Sequence, residues 1–158
     1  MFTLIRALTW AALFIGFVLV FLPARILARA GVAGPPAIGV SQVAGAVAVV
    51  AGAALATWCV ASFALVGKGT PAPFDPPRRL VVQGPYRFVR NPMYVGAVGA
   101  LAGAALFYQS LALAAYAGLF ALVAHAFVVG YEEPVLRRSF GAGYDAYCSR
   151  VGRWWPRS

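Results

Sequence analysis

A chain of 158 residues that is 62% hydrophobic and 11% charged, with a mean hydropathy of +0.80, has too little polar surface to be a soluble domain. It is also too short for two domains, so residues 1–158 read as a single membrane-integrated unit. The net charge of +9 lies in segments between apolar runs, which argues against nucleic acid as partner and for anionic lipid headgroups.

The first apolar run covers residues 7–22, with Arg6 before it and Pro23, Arg25 and Arg29 after it. An arginine ahead of an apolar core also suits a signal peptide, with Leu27-Ala28-Arg29-Ala30 as the cleavage region. The run is long for that role and the rest of the chain is membrane-bound, so a retained helix is expected. Residues 31–36 form a turn. The second run, 38–66, exceeds the ~20 residues a bilayer needs and should tilt or protrude. Within it Ala48, Gly52 and Ala56 make a small-residue stripe for close helix packing.

Residues 67–83, with Lys68, Pro71, Pro73, Asp75, Pro76, Pro77, Arg78 and Arg79, can neither be buried in lipid nor continue a helix. Leu80 to Val82 could be a short extended piece. A third helix is predicted over 92–107, with Gly99 and Gly103 in GxxxG spacing, and a fourth over 111–130. The link Tyr108-Gln109-Ser110 is so short that these two must form a tight hairpin. The fold class is therefore an all-α membrane protein of about four transmembrane helices. Four crossings place eleven of the thirteen basic residues on one side and only Arg25 and Arg29 on the other. Both termini and the loop before the third helix are thus expected to be cytoplasmic.

Two segments carry chemistry. In the first, Asn91-Pro92 reads as a helix start, with Asn91 as N-cap and Pro92 where its missing N–H costs nothing. The unpaired N–H groups of Met93 and Tyr94, the helix dipole, and Arg87 and Arg90 make a receptor for a carboxylate or phosphate. The same residues also suit a capped membrane helix with interfacial arginines. In the second, Glu132 and Glu133 stand at the end of the fourth helix, where anions oppose the dipole and call for a cation. Arg137, four residues after Glu133, is the local partner. Leu136, Phe140, Tyr144 and Tyr147 share one face, predicting an interfacial amphipathic helix, and Trp154 and Trp155 read as interface anchors. His125, the sole histidine, lies ~10 Å deeper than Glu132 along the helix axis. It could deprotonate an acceptor arriving from lipid or make an interhelical hydrogen bond. Cys59 and Cys148 lack metal-ligand spacing and are expected as free thiols.

Gly84-Pro85-Tyr86-Arg87-Phe88-Val89-Arg90-Asn91-Pro92-Met93-Tyr94-Val95-Gly96, the run from Glu132-Glu133 to Tyr147, and Val151-Gly152-Arg153-Trp154-Trp155-Pro156 together resemble the isoprenylcysteine carboxyl methyltransferase family. Its bacterial relatives also resemble phospholipid N-methyltransferases. The resemblance, borne by residues 78–157, implies S-adenosylmethionine-dependent methyl transfer to a lipophilic or membrane-borne carboxylate, thiol or amine, with no metal. It implies cofactor binding by Tyr86, Arg87, Arg90, Asn91, Tyr94, Glu132 and Glu133, with Arg90 and Glu133 at the catalytic centre. Asn91 replaces the family's histidine, and Val128-Val129-Gly130 stand where eukaryotic members have arginines, which weakens a prenylcysteine carboxylate as substrate. Gly152 replaces a proline of the tail. The alternatives are an NADPH-dependent sterol-type reductase, which has a similar motif but an acidic residue where Ala97 stands here, and a catalytically silent adaptor.

Overall fold

The computed structural model describes residues 15–35, 37–62 and 80–157. Arg6, the first part of the leading apolar run and the basic loop with Lys68, Arg78 and Arg79 lie outside the described residues. Over the described residues the chain is all-helical, with an isolated parallel bridge between Val89 and Gly152. The extended piece expected at Leu80 to Val82 forms no strand; instead Val81 is buried against Cys59 and Tyr86.

The leading run does not stop at Pro23. A π-helical stretch, Ile15–Phe21, leads into α1 (Leu22–Arg29), and Pro23 sits in the first turn of α1. A wide π turn just before the ring relieves the clash a proline makes inside a tighter helix. Gly31, at φ +68°, closes α1 while Val32 N–H donates to Leu27 C=O at 3.0 Å and Gly31 N–H to Ala28 C=O at 3.2 Å. That pairing satisfies the last carbonyls, and a left-handed residue at this place favours glycine.

α2 (Val40–Ser62) and α3 (Pro92–Tyr108) form the most extensive packing in the molecule. The register is antiparallel and glycine-led. A Cβ on Gly45 would lie 2.6 Å from the Gly103 carbonyl oxygen, and one on Gly103 would lie 2.7 Å from that of Gly45. Gly52 and Gly96 repeat the reciprocal contact two turns away. The expected stripe of Ala48, Gly52 and Ala56 does face α3, but the GxxxG reading of Gly99 is corrected. Gly99 meets nothing within 4 Å, and Gly96 is the glycine that pairs with Gly103 along the seam. A seven-residue spacing keeps small residues on one line over two turns, so the backbones can approach closely.

Buried Gln42 donates to Phe107 C=O at 3.5 Å, tying the start of α2 to the end of α3. The hairpin then turns through Gln109, at φ +49°, and Ser110, whose hydroxyl accepts from Leu113 N–H at 3.3 Å and so caps α4 (Leu111–Phe127). α4 does not end at Gly130. A π turn, Val128–Glu132, carries it into α5 (Glu133–Phe140), with Pro134 in the first turn. The acidic pair is therefore not at a helix terminus. The helix ends at Gly141, whose φ +50° and ψ −129° suit glycine alone, and α6 (Ala142–Arg150) follows. The single amphipathic helix expected here is thus two helices. Leu136 and Phe140 pack on Tyr144, Tyr147, Val151 and Leu80, so the apolar face builds a small core of its own.

α2 and the continuous helix Leu111–Phe140 are long and apolar enough to cross a membrane, and α3 is a shorter apolar helix. Val43, Val47, Val50, Leu119, Leu122 and Val123 are exposed along α2 and α4. A surface so apolar needs lipid rather than water around it.

Candidate functional site

The segment before α3 begins with a 3-10 turn, Gly84–Arg87, that buries Pro85 and Tyr86. The Tyr147 hydroxyl donates to Tyr86 C=O at 2.6 Å, and Arg90 N–H donates to Gly152 C=O at 2.8 Å. These bonds lay the C-terminal tail beside the loop. Asn91 does occupy the N-cap position, but its side chain does not cap. It donates instead to Arg153 C=O at 3.2 Å, because the tail passes within reach. The N–H groups of Met93 and Tyr94 therefore stay unpaired within their own helix.

The two charged segments meet at this end of the bundle. Glu133, 7% exposed, takes a two-pronged pair from Arg153, Nε to Oε1 at 2.7 Å and Nη2 to Oε2 at 2.9 Å. Arg90 Nη2 lies 3.3 Å from the same Oε1. Arg137, the expected local partner, instead pairs with Asp145 at 2.8 Å across the Gly141 break, in an exposed position. The interhelical bridge won because α6 folds back under α5. Glu132 is served differently: its Oε2 accepts from the Tyr94 hydroxyl at 3.3 Å.

Arg90 Nη1 donates to Cys148 Sγ, while its Nε is buried with no hydrogen-bond partner among the described residues. Arg87 is exposed and stacks over the Phe88 ring at 4.5 Å. Tyr86 is set in the core beneath, among Cys59, Val81 and Met93, so it forms part of the floor. Cys59 and Cys148 are both free thiols, on separate elements.

Trp154 is more than an interface anchor. Its indole N–H donates to His125 Nδ1 at 3.1 Å, and its ring meets Tyr94 edge-on at 6.4 Å between centroids. Trp155 stays 82% exposed. His125 thus bonds to the tail rather than to another helix. Arg153 was the residue missed by local spacing. The signal available for it was the tail run Val151-Gly152-Arg153, which has no charge partner nearby in sequence.

Fold and site define a small helical membrane protein whose acids, arginines and helix N-terminus gather at one end of the bundle. The family described as phospholipid methyltransferase matches residues 40–143, well over half of the chain, and the protein belongs to that family. No curated protein and no solved structure matches it. Family membership makes it a methyltransferase, and S-adenosylmethionine is the cofactor that such enzymes generally use. The matched region runs from the start of α2 into α6 and leaves out the tail that supplies Arg153.

The residues fit such a cofactor. Its carboxylate suits the unpaired N–H groups at the start of α3 and exposed Arg87, and the orphaned Arg90 Nε adds a donor that lacks an acceptor. Its ammonium suits Glu132, which among the described residues accepts a hydrogen bond from Tyr94 at 3.3 Å and pairs with no arginine.

Proposed function

We propose that the protein transfers a methyl group from S-adenosylmethionine to a lipid-borne carboxylate, thiol or amine. The site then lies at the cytoplasmic end of a bundle of about four crossings, with both termini on that side. The observation that carries this reading is the convergence of the two signature segments, Tyr94 with Glu132 and Arg90 with Glu133, at one end of α3 and α4. Arg87 and the N–H groups of Met93 and Tyr94 take the cofactor's carboxylate, and Glu132 takes its ammonium. Glu133 is already neutralised by two guanidinium groups, so it acts by holding Arg90 and the tail in place rather than by touching the cofactor.

When bound, the cofactor supplies an electrophilic methyl group on a sulfonium. What the chain adds is alignment and dryness: Tyr94 and Trp154 wall the site, and Arg90 is held rigid, so an acceptor meets the methyl group in line with water excluded. The acceptor class is that of the family, a lipid, rather than a prenylcysteine. Buried Val128 and exposed Val129 provide no cation for an acceptor carboxylate.

Titration calorimetry of the purified protein with S-adenosylhomocysteine and with NADPH tests the reading. Binding of S-adenosylhomocysteine and not NADPH is expected. No binding of S-adenosylhomocysteine overturns the proposal.

A further inference from the structure

The C-terminal tail crosses the start of α3 and changes what that start can bind. Gly152 C=O accepts from Arg90 N–H at 2.8 Å, and Arg153 C=O accepts from the buried Asn91 side-chain amide at 3.2 Å. We propose that the docked tail holds Asn91 off its own helix and so keeps the first N–H groups of α3 open for the methyl donor's carboxylate. Released from the tail, Asn91 caps α3 and closes that place. Arg153 and Trp154 are then positioning residues for methyl transfer, acting through Asn91. The inference rests on the methyl-transfer reading and adds what prepares the donor site.

Local preference runs against the observed conformation of Asn91. Asparagine is among the strongest N-caps, and a capping residue is normally extended. The residue before a proline is biased the same way, to ψ of about +120 to +160°. Asn91 sits instead at φ −125°, ψ 52°, and its side chain makes no cap hydrogen bond. A carbonyl can only accept, so the bond to Arg153 turns the amide NH2 group toward the tail. Free of the tail, the same side chain has the N–H groups of Met93 and Tyr94 as its ordinary partners, the second and third of the helix. Two partners thus compete for one side chain, and the tail decides between them.

The tail is held firmly enough to win. Arg153 forks onto Glu133 at 2.7 and 2.9 Å, and the Trp154 indole N–H donates to His125 Nδ1 at 3.1 Å. Arg157 Nη1 donates to Cys148 C=O at 3.0 Å and to Ser149 C=O at 2.9 Å. The course is also tight: a Cβ on Gly152 would run into the Trp155 carbonyl. These anchors lie on α4, α5 and α6, so one amide bond on α3 is backed by charge-assisted bonds elsewhere. The same docking brings the Trp154 ring to Tyr94, with 6.4 Å between centroids, beside the Tyr94–Glu132 contact. Opening of the carboxylate place and bracing of the ammonium place therefore come from one event.

The test uses the full chain in phosphatidylcholine nanodiscs and two readouts. Titration calorimetry gives the S-adenosylhomocysteine affinity. Labelling with [15N]methionine gives the amide signal of Met93, since Met1 is the only other methionine. Two variants release the tail by different routes: Gly152→Ala through its Cβ, and Arg153→Gln with Trp154→Ala through its anchors. Each should weaken S-adenosylhomocysteine binding about tenfold, the strength of one cap, and shift the Met93 signal. Adding Asn91→Ala to either should recover most of that affinity and return the Met93 signal toward its wild-type position, because alanine cannot cap. A tail needed only for stability predicts further loss from Asn91→Ala instead of recovery, and that result overturns the proposal. Tail variants that match the wild type in affinity and in the Met93 signal overturn it too. A Met93 signal that responds as expected in a protein binding no S-adenosylhomocysteine would keep the Asn91 switch and discard the methyl-donor reading.

Discussion

Replacing Glu133 with glutamine separates two roles that the acid could have. Its side chain is 10% exposed, that of Arg90 12% and that of Arg153 33%. Removing the charge leaves one nearly buried guanidinium and one partly screened one without a counter-charge. Breaking a buried pair costs about 3–5 kcal/mol, and the exposure of Arg153 moves the expectation to about 3 kcal/mol. Arg153→Gln, which leaves Arg90 on the carboxylate, should cost about 1 kcal/mol. Reversible unfolding in mixed micelles, followed by circular dichroism, reads both values. A Glu133→Gln protein as stable as wild type but unable to bind S-adenosylhomocysteine would refute the clasp and return Glu133 to the cofactor.

Glu132→Gln should bind S-adenosylhomocysteine at least about tenfold more weakly, ~1.4 kcal/mol, read by titration calorimetry. Gly103→Leu should disrupt the α2–α3 seam by about 3 kcal/mol or prevent folding, because the Gly45 carbonyl leaves no room for a side chain. Gly99→Ala, in open space on the same helix, should be neutral or stabilising by up to about 1 kcal/mol.

What could be read from the sequence was local. Asn91-Pro92 marked the start of α3, and Tyr108-Gln109-Ser110 marked the hairpin, because proline and a short link act over a few residues. The π turn before Pro134 was not legible, since periodicity alone continues a helix through it or stops it, and neither describes a widened turn. Pairing across the fold was also hidden. The i+4 rule assigns Glu133 to Arg137, but Arg137 finds Asp145 once Gly141 reverses the chain. Glu133 is left for Arg153, twenty residues on. That choice follows from the tail lying beside Val89 and Arg90, where backbone bonding to Gly152 delivers the next residue to the acid. The two signature segments therefore become one cluster through a third, with Arg153 and Arg90 both on Glu133 and Tyr94 on Glu132. On the proposed reading, this leaves Glu132 as the acid that meets the ammonium of a zwitterionic donor.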